Sequence, residues 1–313
     1  MLSRTADSLF WLGRYTERAG NLSRALAVTS RMASLTDELN AENDQWRSLL
    51  IAAGSEPGFF RHHKEATEEN VVDFLVRDPA NPSGVIPCFS AARQNGRSVR
   101  TALTVDMWSA LSDSWAHLRH VTAADFQGGK LPGFLEWVRE RVLLFNGAAM
   151  DTMLRDEAWL FVQLGTALER ADNTARLLDV KHDLLSAQAL DSTVQHGQCQ
   201  AVLLSVSALR AFHWTYRERL DPARVAEFLI LKPEMPRSLA ACYARVCELL
   251  DAIARLQGGR RGECHRLAGE VHARLGAERI EGILKSGLHE YLTQAIDGVA
   301  TLGGEIEAFY IRS

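Results

Sequence analysis

The sequence predicts an all-α fold, a tandem duplication of one helical module with the two copies packed as one pseudo-two-fold helical bundle. Three observations carry this. Apolar residues recur at helical spacing, and strict alternation over strand length is hard to find. Only eight prolines occur, several of them clustered as Pro79, Pro82 and Pro87 and again as Pro233 and Pro236. A composite residue pattern returns in register half a chain later.

The first helix is expected over 3–35, where Leu2, Leu9, Leu12, Ala19 and Leu26 share one face of a helix turning 100° per residue. Shorter helices are expected near 40–53 and 64–76. Long helices then follow over 88–118, 132–190 (interrupted near 146–155), 198–218, 236–257 and 279–311.

The repeat sets the domain organisation. Leu12-Gly13, Glu17-Arg18-Ala19, Asn21 and Arg24 return 152 residues later as Leu164-Gly165, Glu169-Arg170-Ala171, Asn173 and Arg176. Phe74-Leu75, Pro79, Pro82 and Cys88 return 154 residues later as Phe228-Leu229, Pro233, Pro236 and Cys242. The first repeat is therefore assigned to 1–152 and the second to 153–313, the two expected to form one compact domain.

Composition narrows the function. Apolar residues make up 47% of the 313, enough for a substantial core. A formal net charge of −4 gives no drive towards nucleic acid or an anionic membrane. No apolar run approaches a membrane span, and the opening Met1-Leu2-Ser3-Arg4-Thr5-Ala6-Asp7 lacks a signal-peptide core. The five cysteines are odd in number and form no CxxC, which argues for a reducing, cytoplasmic setting.

Charged stripes are the candidate chemistry. Glu17, Asn21 and Arg24 fall at i, i+4 and i+7 on one helix face, as do Glu169, Asn173 and Arg176. Their recurrence leaves two readings open: a polar network that fixes helix register, or a cleft lined for a polar ligand. Phe10 and Trp11 lie among Asp7, Arg14, Glu17 and Arg18, which suggests a helix contact or a site wall. Arg93, Arg97 and Arg100 form a further stripe with no counterpart in the second copy. Three guanidinium groups on one face repel unless an anion, or carboxylates such as Asp106 and Asp113, neutralise them.

Other signals are weak. His117 and His120, and the adjacent His62-His63, lack an accompanying carboxylate–histidine pattern, so no metal is expected. Cys264-His265 is read as adjacency rather than a dyad. Gly128-Gly129-Lys130 and Gly258-Gly259-Arg260 lack the flanks of a phosphate loop.

Taken together, the chain resembles the alpha-E domain family of bacterial proteins over essentially its full length. The opening segment through Glu17-Arg18-Ala19 carries the resemblance, with Ala92-Arg93-Gln94-Asn95-Gly96-Arg97-Ser98-Val99-Arg100 and the following Trp108. Thr152 to Trp159, Leu164 to Asn173, Val225 to Leu229 and Pro236 to Leu239 extend it. One departure is Gly20, where relatives carry an acidic or polar residue; Asp172 supplies that type in the second copy. The resemblance implies an all-helical domain named for a conserved glutamate. It also implies association with circularly permuted ATP-grasp proteins, often beside transglutaminase-like proteins and in some settings near a proteasome-like peptidase, in amide-bond or peptide-modification chemistry. The expectation is a helical partner of an ATP-grasp amide ligase that binds a peptide or amino-acid substrate or completes the ligase site. It would bind no cofactor directly, with ATP held by the partner. Arg14, Arg18, Asn21, Arg24, Arg93, Arg97, Arg100, Arg170, Asn173 and Arg176 are then candidate substrate contacts. Two rivals remain: a stand-alone enzyme with Glu17 or Glu169 as general base, and a non-catalytic scaffold.

Overall fold

The computed structural model describes residues 1–34, 39–182, 185, 192–217 and 219–311. Among them are fifteen α-helices and no strand. Contacts divide the chain into two compact units, Met1–Thr166 and Ala167–Ser313.

The first unit holds α1 (Ser3–Ala33), α2 (Leu39–Ala52), α3 (Glu56–Phe59), α4 (Glu68–Val76), α5 (Val85–Ser98), α6 (Val105–Leu118), α7 (Leu131–Thr152) and the start of α8 (Glu157–Val180). The second holds the rest of α8, then α9 (Ser192–Ser205), α10 (Leu209–Tyr216), α11 (Pro222–Ile230), α12 (Leu239–Leu256), α13 (Glu263–Ala277), α14 (Ile280–Ser286) and α15 (Leu288–Ile306). In the first unit α1 is the central helix, packed on α5 and α7. Its apolar face closes over a core anchored by fully buried Trp46, Phe59 and Phe74, rings that each withdraw upwards of about 150 Å² from water. In the second unit α12 packs on α13, and α13 and α14 pack on α15.

Helical periodicity identified most elements but not their breaks. The helix expected over 88–118 is two helices, because the chain leaves α5 at Ser98, makes a 3-10 turn over Arg100–Ala102 and restarts at Thr104. The Thr104 hydroxyl accepts the Met107 N–H and caps α6. The segment 198–218 divides at Ser207, whose φ of 57° is left-handed, and 279–311 divides at Gly287, φ 104°. Helices α3 and α11 were not expected, and neither was α13. Only Cys264, Ala268 and Leu275 are buried along it, too sparse a stripe to read against Gly258, Gly259, Gly262, Gly269 and Gly276. Residue 35, most of 183–190 and residue 218, where three expected helices end, lie outside the described residues.

Several local features of the two units lie 153 or 154 residues apart. Helices α4 and α11 are both nine residues long, with bounds 154 residues apart. Their N-caps, Thr67 and Asp221, keep the same offset, each side chain accepting the N–H three residues on. Phe59 and Phe74 meet edge-to-face at 5.3 Å, and Phe212 and Phe228 at 5.5 Å. The Cys88 and Cys242 thiols lie 3.9 Å from the Pro82 and Pro236 carbonyl oxygens, respectively.

Helix α1 and the opening turns of α8 cross backbone against backbone. A Cβ on Gly13 would collide with the carbonyl oxygen of Val162, and one on Gly165 with the carbonyl oxygen of Phe10. The contact is reciprocal, since Phe10 and Val162 are themselves 152 residues apart. No rotamer change relieves a clash with a carbonyl. Gly13→Ala and Gly165→Ala are therefore each expected to destabilise the fold by roughly 1–3 kcal/mol in urea unfolding. Gly147→Ala, in open space on α7, is expected to be neutral or stabilising by up to about 1 kcal/mol.

Candidate functional site

The two Glu/Asn/Arg stripes begin one turn beyond the crossing glycines, and both glutamates are buried. Glu17 and Glu169 are each 1% exposed. Glu17 sits on α1, where its carboxylate lies 3.5 Å from the Arg24 guanidinium, itself only 9% exposed at the side chain. The same guanidinium donates to the Asn21 side-chain oxygen. The three residues thus form an internal tie along two turns of α1, in a setting where a charge needs its partners.

The second stripe is wired differently. Asn173 donates to the Glu169 backbone carbonyl at 2.8 Å and lies 3.5 Å from its carboxylate. Arg176 turns to Asp172, with Nε 2.9 Å from Oδ2 and 32% of its side chain exposed. The reason is in the sequence. Asp172 occupies the place that Gly20 takes in the first stripe, so Arg176 has a nearer carboxylate and Arg24 does not. Gly20 in turn faces α7, where a Cβ would come within 3.0 Å of Val142 Cγ1.

Beside the first stripe, α1 presents a half-buried ladder of aromatics and arginines. The Trp11 and Tyr15 rings lie 5.3 Å apart, with Arg14 over Trp11 at 5.0 Å and Arg18 over Tyr15 at 5.8 Å. Burial raises the Tyr15 phenol above its ordinary pKa, against the pull of Arg18. Arg18 also donates to Ser83 Oγ at 3.2 Å, while Ser8 and Ser98 hydroxyls meet at 3.0 Å. These two contacts run α1 and α5 antiparallel. Phe10 is fully buried in the helix crossing, so of the two aromatics it serves packing and Trp11 the polar face.

The arginine stripe needs correction. Arg93 and Arg97 lie on α5, but Arg100 falls past its end in the 3-10 turn, so the three do not share one continuous helix face. Arg97 is exposed. Arg93 and Arg100 instead converge on Trp108 of α6, at 5.9 and 5.3 Å from its ring centre. Arg100 also donates to the Leu103 carbonyl at 3.4 Å. Arg93 Nε is buried without a hydrogen-bond partner, and among the described residues no ion pair joins Asp106 or Asp113 to the three. Arg170 is half-buried on α8.

Cys264 and His265 do meet, contrary to the sequence reading, with Sγ 3.5 Å from Nδ1. His265 lies in the first turn of α13 and folds back so that Nδ1 accepts the Gly262 N–H at 3.1 Å. That bond occupies the nitrogen lone pair, leaving Nε2 to donate to the Tyr310 hydroxyl at 3.1 Å. Burial pushes the Cys264 thiol up to about 11 and lowers the His265 imidazole. The pair is therefore not an activated thiolate. His63 stacks on Phe59 and His117 packs against Trp137. A grouping that sequence reading missed is Asp179, His182 and His289, assembled on unit two from the end of α8 and the start of α15. Its only local signal was the i, i+3 spacing of Asp179 and His182.

Comparison with known proteins agrees with the helical architecture and the Glu-Arg dipeptides. A family model, Alpha-E, described as a predicted alpha-helical domain with a conserved ER motif, matches residues 1–311. Uncharacterized proteins of Mycobacterium bovis and of Mycobacterium tuberculosis strain H37Rv are each 24% identical over 320 aligned positions. The alignments cover 95% of this chain and 35% of theirs, so the chain spans about a third of the length of these relatives. No solved structure matches. No described helix is long and apolar enough to cross a membrane.

The two arginine ties differ in burial, and so in cost. Arg24→Met is expected to lower stability by roughly 3–5 kcal/mol, as when one partner is removed from a buried ion pair. Arg176→Met, at the equivalent and more exposed place, is expected to cost less than about 1 kcal/mol. Urea unfolding of the two variants checks the difference.

Proposed function

Because the chain belongs to the Alpha-E family, we propose that it is the non-hydrolytic helical partner subunit of an ATP-grasp amide ligase. In this reading a circularly permuted ATP-grasp protein holds the ATP. The present chain binds the peptide or amino-acid substrate, or completes the ligase site, in the cytoplasm, and a transglutaminase-like protein works beside it.

The observation that carries the reading is the burial of Glu17 and Glu169 at 1% exposure. A general base must reach a substrate proton, and Glu17 is instead tied inside α1 by Arg24. In this proposal the glutamate of the family's Glu-Arg dipeptide acts as part of an internal brace, and the chemistry belongs to the partner. The curated relatives support this, because in them a module of this kind occupies 35% of a longer chain and so works joined to other sequence. The substrate face in this proposal is that of Arg14, Arg18, Arg93, Arg97 and Arg100, interleaved with Trp11, Tyr15 and Trp108. Guanidinium groups held over rings offer forked donors to a carboxylate or acyl phosphate.

The proposal extends to history: the chain is two diverged copies of one module. The equal lengths of α4 and α11, the capping residues 154 apart and the reciprocal glycine crossing support it.

The test is co-purification with a circularly permuted ATP-grasp protein from the same organism, followed by ATP turnover with and without this chain. Stimulated turnover is expected. Activity of this chain alone, or association without stimulation, would overturn the reading in favour of a stand-alone enzyme or a scaffold, respectively. Arg97→Glu is expected to reduce stimulated turnover at least tenfold while stability changes by less than about 0.5 kcal/mol, as usual for an exposed site.

A further inference from the structure

We infer that Asp179, His182 and His289 form a binding site for one divalent transition-metal cation of the zinc type. Asp179 lies in the last turn of α8, and His182 follows three residues later on the same side. His289 is the second residue of α15. One ligand atom from each of the three lies within 4.8 Å of the other two. A tetrahedral site with bonds of about 2.0–2.1 Å holds its ligand atoms roughly 3.3 Å apart. In this proposal side-chain rotation closes the difference, and the His289 side chain is 51% exposed.

The protonation pattern suits ligation. His182 Nδ1 lies 2.6 Å from the backbone carbonyl oxygen of Asp179. A carbonyl only accepts, so Nδ1 carries the proton and Nε2 carries the lone pair. A backbone carbonyl orienting the non-ligating nitrogen is the usual outer-shell support of a metal-bound histidine. His289 Nδ1 lies 2.7 Å from Asp179 Oδ1, the proton held between them. A cation entering there takes that proton's place. In neutral His289 the proton reappears on Nε2, and Nδ1 and the carboxylate become ligands.

The ion pair of Asp179 with His289 has a second imidazole beside it. The His182 and His289 rings sit 4.6 Å apart at 32°. One cation satisfies both nitrogens and the carboxylate at once. The end of α8 adds a carbonyl-rich, partly negative terminus. Two imidazoles and one carboxylate suit zinc, cobalt or nickel over magnesium or calcium. With three protein ligands, the fourth position is left for water or another small donor.

The experiment titrates the tag-free full chain, stripped with chelator and dialysed, with Co2+ while following visible d–d absorption. The expected result is one Co2+ per chain, displaced by Zn2+. His289→Gln and Asp179→Asn should each weaken binding at least tenfold with unchanged far-ultraviolet circular dichroism, and His62→Gln, at an exposed loop histidine, should leave it unaltered. An independent measurement on the unmodified chain is carbethoxylation read by mass spectrometry, in which saturating Zn2+ should protect His182 and His289 selectively. Absence of a d–d band at saturating Co2+, a band that survives both variants, or equal modification of the two histidines with and without Zn2+ would overturn the assignment.

Discussion

The near-contact of two helix backbones at Gly13 and Gly165 is the constraint from which the rest of the first unit follows. Helix axes normally stand 8–10 Å apart because side chains separate them. Here each glycine receives a carbonyl of the other helix where a Cβ would otherwise stand. Each stripe glutamate lies one turn further along its helix, four residues past its glycine. With water excluded there, a carboxylate is tolerated only with charged or hydrogen-bonding company, which Arg24 and Asn21 supply in the first stripe. Of the two readings that the Glu/Asn/Arg spacing leaves open, the burial of Glu17 beside Arg24 fits the polar network.

The helical class and most helix positions were readable because buried helices leave a period of about 3.6 residues in the sequence. Breaks were less readable. Ser207 adopts a left-handed conformation that serine rarely signals, and Thr104 caps a helix inside a segment that holds no proline. The missed break after Ser98 takes Arg100 off the helix that carries Arg93 and Arg97. Helix α13 escaped notice because three buried side chains along fifteen residues are too few to show a face.

Site chemistry was legible only where it is local. Glu17, Asn21 and Arg24 lie within eight residues, and their association follows from helix geometry alone. Asp179 and His289 are 110 positions apart, and no periodicity links the end of one helix to the start of another. The Cys264–His265 contact shows the reverse problem. Neighbours that diverge on a regular helix came together because the first turn has free N–H groups, and an imidazole folded back to accept one.

The wiring of Arg24 and Arg176 bears on the order in which substitutions can accumulate. An aspartate at position 20 would offer Arg24 the short-range partner that Asp172 offers Arg176, but its Cβ would press on Val142 before any carboxylate could form that bond. Trimming Val142 first would open a gap beside a buried helix with nothing yet to fill it. Whether Val142 can give way by a few tenths of an ångström decides the effect of the aspartate alone, so the residue at position 20 depends on a neighbour on a different helix. The two stripes differ at this place by one residue type, and giving the first the wiring of the second calls for matched changes on two helices.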